Sequence, residues 1–280
     1  MGGGGKSSLT ANVSDIVYKS NDKLKTINYE EWVSSLGTPV GVVVVPSGFV
    51  PDGKARMLSL NWASSSSTSS TSISYMKWGP MTPDTSLTNH TKVPTTDNAS
   101  STTTGSDSYG YLPSDKFTGA TSYVDSIAKY NSTNRMIPSP YLGDKPNPAY
   151  YAKISGNNNA LADFDGKGNT DVLVGLGADY EAANAARNYK VAGAEEIEWY
   201  LPSMGELGYM IVRFNKIQAA LTKLNAPQLD GSKLYWSSSE YSSDVAYSSI
   251  SAYELGPEYG NVYFDTKNYS RSVRPFALLA

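Results

Sequence analysis

Residues 163–171 (DFDGKGNTD) carry the side chains best suited to holding a metal. Acidic and amide side chains recur through this stretch, as they do in calcium loops. An EF-hand loop also needs a preceding helix and a bidentate Glu at its last position, where this chain has Val174. The stretch therefore predicts a turn whose Asp and Asn side chains hydrogen-bond the local backbone. A calcium site that uses part of the loop stays open as an alternative.

Other groups that perform acid, base or nucleophilic chemistry are sparse. Glu195, Glu196 and Glu198 resemble the paired carboxylates of a polysaccharide hydrolase, but that reaction needs two carboxyls flanking a cleft at a defined separation. The sequence favours a solvated turn before Trp199. His90, the single histidine, lies in a polar region far from any conspicuous nucleophile, so we expect a surface residue.

The lack of cysteine narrows the chemistry further. It excludes disulfides, thiolate metal sites and cysteine nucleophiles. Gly5-Lys6-Ser7 lacks the strand and the earlier glycine of a phosphate loop, which indicates a flexible terminus. The sequence thus predicts a protein that is not an enzyme, with no catalytic residues, no metal and no cofactor.

Residues 235–280 instead have the composition of a binding surface. Tyrosines recur through this stretch, and serines fill most of the gaps. Tyrosine offers a large, fairly rigid contact area and serine offers adaptable hydrogen bonds, as in antibody paratopes. We expect Tyr235 and Trp236 to lie in the core. For the remaining tyrosines an exposed binding face is favoured, and ordinary strand packing is the alternative.

Length, charge and hydropathy limit the number of domains and the classes of partner. The chain has 280 residues, 40% hydrophobic and 18% charged, which suits one large domain or two. Its net charge of −3 gives no electrostatic footprint for nucleic acid. No run approaches the roughly 20 apolar residues that span a bilayer, so no membrane insertion is expected. The N-terminal residues lack the apolar core of a signal peptide, which predicts synthesis in the cytoplasm. Export, if any, is then expected within a particle released by lysis or by a route that the sequence does not encode.

The first part of the chain predicts a short N-terminal segment and a buried hairpin. We interpret residues 1–35 as an attachment or oligomerisation segment, with a strand at 15–18 and a short helix at 30–36. Residues 41–46 (GVVVVP) are typical of a strand buried on both faces, and 55–63 predict its partner.

The rest predicts an insertion, then helices, then strands. Residues 63–150 are low in complexity and rich in proline, which indicates a long polar insertion. Residues 179–192 are alanine-rich and predict a helix. A capping-box pattern at Ser203-x-x-Glu206, followed by apolar residues at helical spacing, predicts the strongest helix, over 203–224. Short strands follow residue 231, so the fold class is α+β.

Several of these segments together resemble a known family. WYLPSMGELGYM, YWSSSEYSS and SVRPF, preceded by DFDGKGNT and the alanine-rich helix, resemble the bacterial and phage branch of the C-type lectin fold over residues 160–276. The resemblance is strongest to variable proteins diversified by retroelements, a group that includes phage tropism determinants. It implies a C-type lectin-like domain over 36–280 with two helices, a terminal hairpin and the long insertion, and a variable region at 235–276.

The resemblance also implies which residues bind. In such proteins the mutated Asn codons reach Tyr, Ser, Asp, Val, Ile, Arg and Gly, but not Glu, Lys, Trp or Met. Residues of the second group, Glu254, Glu258 and Lys267, then belong to a fixed frame, as do Trp236, Ser237, Ser238, Glu240, Val273, Arg274 and Pro275. The expected ligand-binding positions are Asp244, Val245, Tyr247, Ser249, Ser251, Tyr253, Tyr263, Asp265, Tyr269, Arg271 and Ser272.

The implied function is non-enzymatic binding to a host cell-surface protein or glycan from a phage virion, beside other virion proteins, with a homotrimer as the expected assembly. The calcium-binding triplets of sugar-binding C-type lectins do not occur here, so calcium-dependent sugar binding is not expected. Formylglycine-generating enzymes share the fold but depend on cysteine, so the lack of cysteine excludes that activity. Three alternatives stay open: a bacterial surface adhesin or fimbria-like protein that lost its signal peptide in cloning, a structural virion component, and a polysaccharide hydrolase.

Overall fold

The computed structural model describes residues 11–50, 52–66, 68–81, 161, 163–240, 251–256 and 261–279, and the backbone of short strands at 110–111, 141–142 and 145–146. The described residues form two six-stranded sheets and four α-helices, so the α+β prediction is confirmed. Residues 82–109 and most of 112–150, within the predicted insertion, lie outside this description, as do residues 1–10 and 151–160.

The strands of the first sheet are β1 (Ile16–Ser20), β2 (Lys23–Ile27), β3 (Thr38–Val45), β4 (Arg56–Ser59), β9 (Trp199–Tyr200) and β14 (Phe276–Leu278). Those of the second are β5 (Tyr75–Lys77), β6 (Gly110–Tyr111), β10 (Tyr235–Glu240), β11 (Ser251–Gly256), β12 (Asn261–Thr266) and β13 (Ser270–Ser272). The separate pair β7 (Tyr141–Leu142) and β8 (Lys145–Pro146) lies between β6 and β9 in sequence. The helices are α1 (Gly166–Leu176), α2 (Glu181–Arg187), α3 (Met204–Val212) and α4 (Phe214–Lys223).

The first sheet contains the predicted hairpin. Its strand order is β2-β1-β3-β4-β14-β9, and every neighbouring pair is antiparallel. Val42 lies opposite Leu58, and the valines of β3 are buried on both faces, as the β-branched run predicts. The C-terminal strand β14 pairs with β4, which places Phe276 beside Leu58 and joins the two ends of the chain in one sheet.

A second hairpin, β1–β2, extends this sheet toward the N-terminus. Its turn residues Asn21 and Asp22 have φ values of 51° and 57°, as a type I′ turn requires. The helix predicted at 30–36 is replaced by two 3₁₀ turns, Tyr29–Glu31 and Ser34–Leu36. Between them Trp32 is extended, and its ring packs on Tyr18 with the ring centroids 5.4 Å apart.

The helices differ from the sequence prediction in number and extent. The capping box of Ser203 and Glu206 is present, but the helix predicted over 203–224 breaks at Arg213 (φ −113°, ψ 29°) into α3 and α4. All of α3 is buried, so the chain must turn before the amphipathic α4 can pack its own apolar side. The break follows from packing and not from a local helix-breaking residue.

The prediction of a turn over 163–171 is wrong for its second half. Asp165 caps the N-terminus of α1 by accepting a hydrogen bond from Gly168 N at 3.0 Å. The alanine-rich helix α2 is confirmed but shorter than predicted. Among the residues described, no helix has the length and apolarity needed to cross a bilayer.

The second sheet has the order β5-β13-β10-β11-β12-β6, in which β10 and β13 are parallel and the other pairs antiparallel. On one face, Trp236 and Ala252 pack with residues of α1 and α2. On the other face, Tyr235 and Tyr253 join the large core that includes α3 and α4. Tyr235 and Trp236 are both buried, which confirms their prediction as core residues.

Candidate functional site

The structure places the predicted ligand-binding residues in three different environments. Asp244, Val245, Tyr247 and Ser249 lie outside the described residues. Ser251, Tyr253 and Ser272 are buried within the chain. The accessible members are Tyr263, Asp265 and Arg271, which are half-buried, and Tyr269, whose exposed fraction is 51%.

Strand register brings the accessible members of β12 to one face of the second sheet. Trp236 lies opposite Glu254, and Glu254 lies opposite Tyr263. Directly paired residues share a face, and residues two apart on a strand point the same way. Asp265 is therefore on the same face as Tyr263 and Trp236.

The register of β13 adds Arg271 to this face. Ser272 pairs with Tyr235, so the preceding residue, Arg271, lies on the side of Trp236. Tyr253 pairs with Phe264 on the opposite side, which is packed against the helical core. Tyr253 is therefore buried on the side of the sheet away from Arg271.

Arg271 connects the members of this face. Its Nε donates to Glu254 Oε2 at 2.6 Å and its Nη2 donates to Asp265 Oδ2 at 2.7 Å. Its guanidinium carbon lies 5.2 Å from the ring centroid of Tyr269 and 5.8 Å from that of Trp236, within the range of cation–π contact. We call Tyr263, Asp265, Tyr269 and Arg271 the tyrosine patch.

The carboxylate beneath the patch, that of Glu254, is buried and has a raised pKa. The side chain of Glu254 is only 3% exposed, and burial raises its pKa, although the Arg271 guanidinium acts in the opposite direction. Glu254 was expected to belong to the fixed frame, and its burial places it under the patch.

The turn that presents Tyr269 is anchored by a buried cation. Lys267 forms an ion pair with Glu240, and its ammonium lies 4.7 Å from the ring centroid of Trp78. Its carbonyl oxygen accepts a hydrogen bond from Trp78 N at 2.9 Å. Tyr269 N in turn donates to Thr266 O at 3.0 Å, so the exposed ring extends from a turn with fixed backbone.

The expected frame residues that the structure describes are buried. Trp236 Nε1 donates to Met76 O at 3.0 Å, and Trp78 Nε1 donates to Ser237 O at 2.7 Å. Ser238 N donates to Pro202 O at 2.7 Å, which ties β10 to the start of α3. These three hydrogen bonds join β10 to β5, to Trp78 and to the start of α3 without using the patch.

Sequence reasoning missed a buried polar network below this frame. The Asp163 carboxylate accepts hydrogen bonds from Ser239 Oγ at 2.6 Å and from Asn169 Nδ2 at 2.8 Å. Burial raises the pKa of Asp163 to about 7, although these donors favour its charged form. The signal in the sequence was the calcium-like DFDGKGNTD pattern. In the part of the chain described, no group of three or more His, Cys, Asp or Glu residues is arranged to hold a metal ion.

A second buried carboxylate, Glu206, adjoins this network. Its Oε1 accepts hydrogen bonds from Arg56 Nε at 2.7 Å and from Tyr200 OH at 3.0 Å, and its Oε2 accepts from Ser203 N at 2.9 Å. These bonds fix the start of α3 to β4 and β9. They therefore hold the start of the helix against the first sheet.

The carboxylates weighed for hydrolysis lie on an exposed turn, as predicted. Glu196 pairs with Lys19 at 2.8 Å, and Glu198 pairs with Arg187 at 2.7 Å. Each therefore faces a surface cation. His90 lies outside the described residues.

Comparison with known proteins identifies a structural neighbour but no family. No family model matches the chain, and no curated protein matches it. The chain is similar to a solved structure of a fimbrial protein from Bacteroides ovatus ATCC 8483, with a TM-score of 0.48 and 16% sequence identity. The alignment covers 95% of this chain and 48% of the fimbrial protein, so the chain spans about half the length of that protein.

Proposed function

We propose that this chain is a non-catalytic binding protein that attaches to a cell-surface protein or glycan through the tyrosine patch. The observation that carries the proposal is the separation of roles on one face of the second sheet. Trp236 and Glu254 are buried and hydrogen-bonded within the fold, whereas Tyr269 and Arg271 lie above them and reach solvent. Tyr269 can change without removing the hydrogen bonds of Trp236, whereas Arg271 is also the charged partner of Glu254.

The chemistry of the patch suits recognition. Tyr263 and Tyr269 supply aromatic area with a polar tip, and the charged pair of Asp265 and Arg271 supplies directional hydrogen bonds. Binding energy at such surfaces is concentrated in a few aromatic and arginine residues near the centre. Several weak patches displayed together, as in a homotrimer, would raise the apparent affinity.

The C-type lectin-like fold is part of this proposal. Its support is the pairing of the C-terminal strand β14 with the hairpin strand β4, the helices that flank the sheets, and the second sheet formed by the last third of the chain. Within this fold the accessible residues of 235–276 are the ones we propose to be diversified. The coding sequence should then have a near-copy that differs only at template adenines, and differences spread over all bases would contradict this.

We propose a phage virion as the structure that displays the patch, with a bacterial cell surface as the alternative. The two differ in the genes around this one. A reverse transcriptase with a template repeat beside phage structural genes is the expected arrangement. Genes for cell-surface assembly, without phage structural genes, would favour the adhesin.

The binding proposal is tested by replacing the most exposed tyrosine of the patch. We expect Tyr269→Ala to weaken binding of the fluorescently labelled protein to intact bacterial cells by tenfold or more, as for a hot-spot aromatic costing about 2 kcal/mol. Thermal stability should be unchanged, because half of the side chain is in solvent. Flow cytometry over a panel of strains gives the affinities.

Tyr75→Ala is the matched control. Tyr75 is 48% exposed and lies on the neighbouring strand β5, but its pairing with Ser272 puts it on the side of the sheet away from Arg271. Binding should survive this change. Equal loss in both variants, or full binding by Tyr269→Ala, would exclude the patch as the attachment site. Tyr253→Ala should instead lower the melting temperature, because Tyr253 belongs to the core.

A further inference from the structure

The Arg271 guanidinium occupies an enclosure made by four other side chains. Glu254 and Asp265 each accept one of its hydrogen bonds, at 2.6 and 2.7 Å from different nitrogens. The rings of Tyr269 and Trp236 lie at 5.2 and 5.8 Å from its central carbon. We call these four side chains the guanidinium cage.

The cage has the features with which proteins recognise arginine. Charge-assisted hydrogen bonds from separate guanidinium nitrogens fix the orientation of the planar group. Aromatic faces attract the same cation through their quadrupoles, more strongly where water is excluded. Both kinds of contact are present here on one group.

The charges of the cage require a cation. With Arg271 in place, Glu254 and Asp265 leave one negative charge in excess, and without Arg271 they leave two. Lys267, on the adjoining turn, is paired with Glu240. Removing the partner of a buried carboxylate is strongly destabilising, so a cation in this position stabilises the charged form of Glu254.

The cage is reachable from solvent through the position of Arg271. The side chain of Arg271 is 19% exposed, that of Asp265 is 31% exposed, and Tyr269 is half exposed. Glu254 and Trp236 form the buried floor. A small residue at position 271 would therefore leave an opening shaped for a guanidinium and lined by two carboxylates.

We propose that the guanidinium cage is a binding site that Arg271 fills in this chain, and that it takes an arginine side chain from a partner protein when residue 271 is small. The inference rests on the proposed function in one respect, the variation of residue 271 among copies of the protein. Residue 271 then determines the class of ligand. Arginine closes the cage and leaves the tyrosines as the contact surface, whereas serine opens it to a basic protein.

The test uses Arg271→Ser and methylguanidinium chloride as the probe. We expect the probe to stabilise this variant in a saturable way. With a dissociation constant of about 10 mM, about 100 mM probe would change the unfolding equilibrium constant about elevenfold. Urea unfolding followed by tryptophan fluorescence measures the change, with sodium chloride matching the ionic strength throughout.

Two controls isolate the cage. Wild-type protein, in which the cage is filled, should show no saturable gain. The double variant Arg271→Ser/Glu254→Gln lacks the floor carboxylate and should gain much less than Arg271→Ser. If Arg271→Ser is unfolded in buffer alone, the same titration is read as recovery of the far-ultraviolet circular dichroism of the folded protein.

An equal effect of the probe on all three proteins, or no effect on Arg271→Ser, would overturn the proposal. Methylammonium chloride should be a weaker ligand, because it lacks the planar set of donors. Equal stabilisation by both cations would also overturn the assignment to arginine. These results do not depend on cell attachment, which the Tyr269 and Tyr75 variants test separately.

Discussion

The buried carboxylate Glu206 offers the sharpest test of how this fold is held together. It accepts hydrogen bonds from Arg56, Tyr200 and the backbone of Ser203. Arg56 also pairs with Asp52 at 2.9 Å, and Asp52 is 43% exposed. One guanidinium therefore has a buried partner and an exposed partner, and the two can be removed separately.

The expected costs differ because water compensates only one of the losses. In Glu206→Gln an NH₂ group replaces one of the two oxygens that accept hydrogen bonds, so it faces a donor. The buried Arg56 also loses its counter-ion, so the free energy of unfolding should fall by about 3–5 kcal/mol. Asp52→Ala should lower it by less than about 1 kcal/mol, because the exposed pair is already solvated. Urea denaturation followed by tryptophan fluorescence measures both.

A third variant separates pairing from desolvation. Burial raises the pKa of Glu206 although Arg56 opposes the shift, which means that burying the charge costs more than the pair returns. Arg56→Met/Glu206→Leu should therefore recover part of the stability lost in Glu206→Gln. The reasoning fails if Glu206→Gln costs no more than Asp52→Ala, or if the double variant is less stable than Glu206→Gln.

Two further predictions concern pH and glycine. Burial raises the pKa of Asp163 from 3.8 to about 7, so between these values the folded state holds a proton that the unfolded state releases, and the free energy of unfolding should increase as pH falls from about 8 to 5. Asp163→Asn should reduce this slope in urea denaturation at each pH, and an unchanged slope would refute it. Gly175→Ala should raise the melting temperature, because Gly175 is helical and its added Cβ meets open space, with a gain near 1 kcal/mol. Gly41→Ala should lower it, because the added Cβ would lie 2.6 Å from Leu58 O, and the opposite order in calorimetry would contradict both statements.

Local pattern was sufficient for several parts of the fold. The β-branched run predicted β3, and the capping box predicted the start of α3, because both signals depend on residues close in sequence. Tyr235 and Trp236 were assigned to the core, and both are buried. The helix break at Arg213 could not be predicted in this way, since it depends on the complete burial of α3 between partners distant in sequence.

The candidate site could likewise be predicted from the sequence only in part. The tyrosine and serine composition indicated a binding surface, but it did not distinguish Tyr253 from Tyr269. That difference arises from strand register, which pairs Tyr253 with Phe264 on the core side. Glu254 was expected to be fixed, but the charged pair that it forms with Arg271 joins strands separated along the chain.

The sequence by itself determined the α+β class, the main hairpin, the N-terminal cap of α3 and the chemistry concentrated in the last third of the chain. Tertiary structure decided which of those side chains meet water and which meet one another. The physical reason is that residue type sets what a group can do, whereas pairing across strands sets its face, its burial and its partners. Arg271 is a surface arginine by sequence, and register makes it the centre of two carboxylates and two rings.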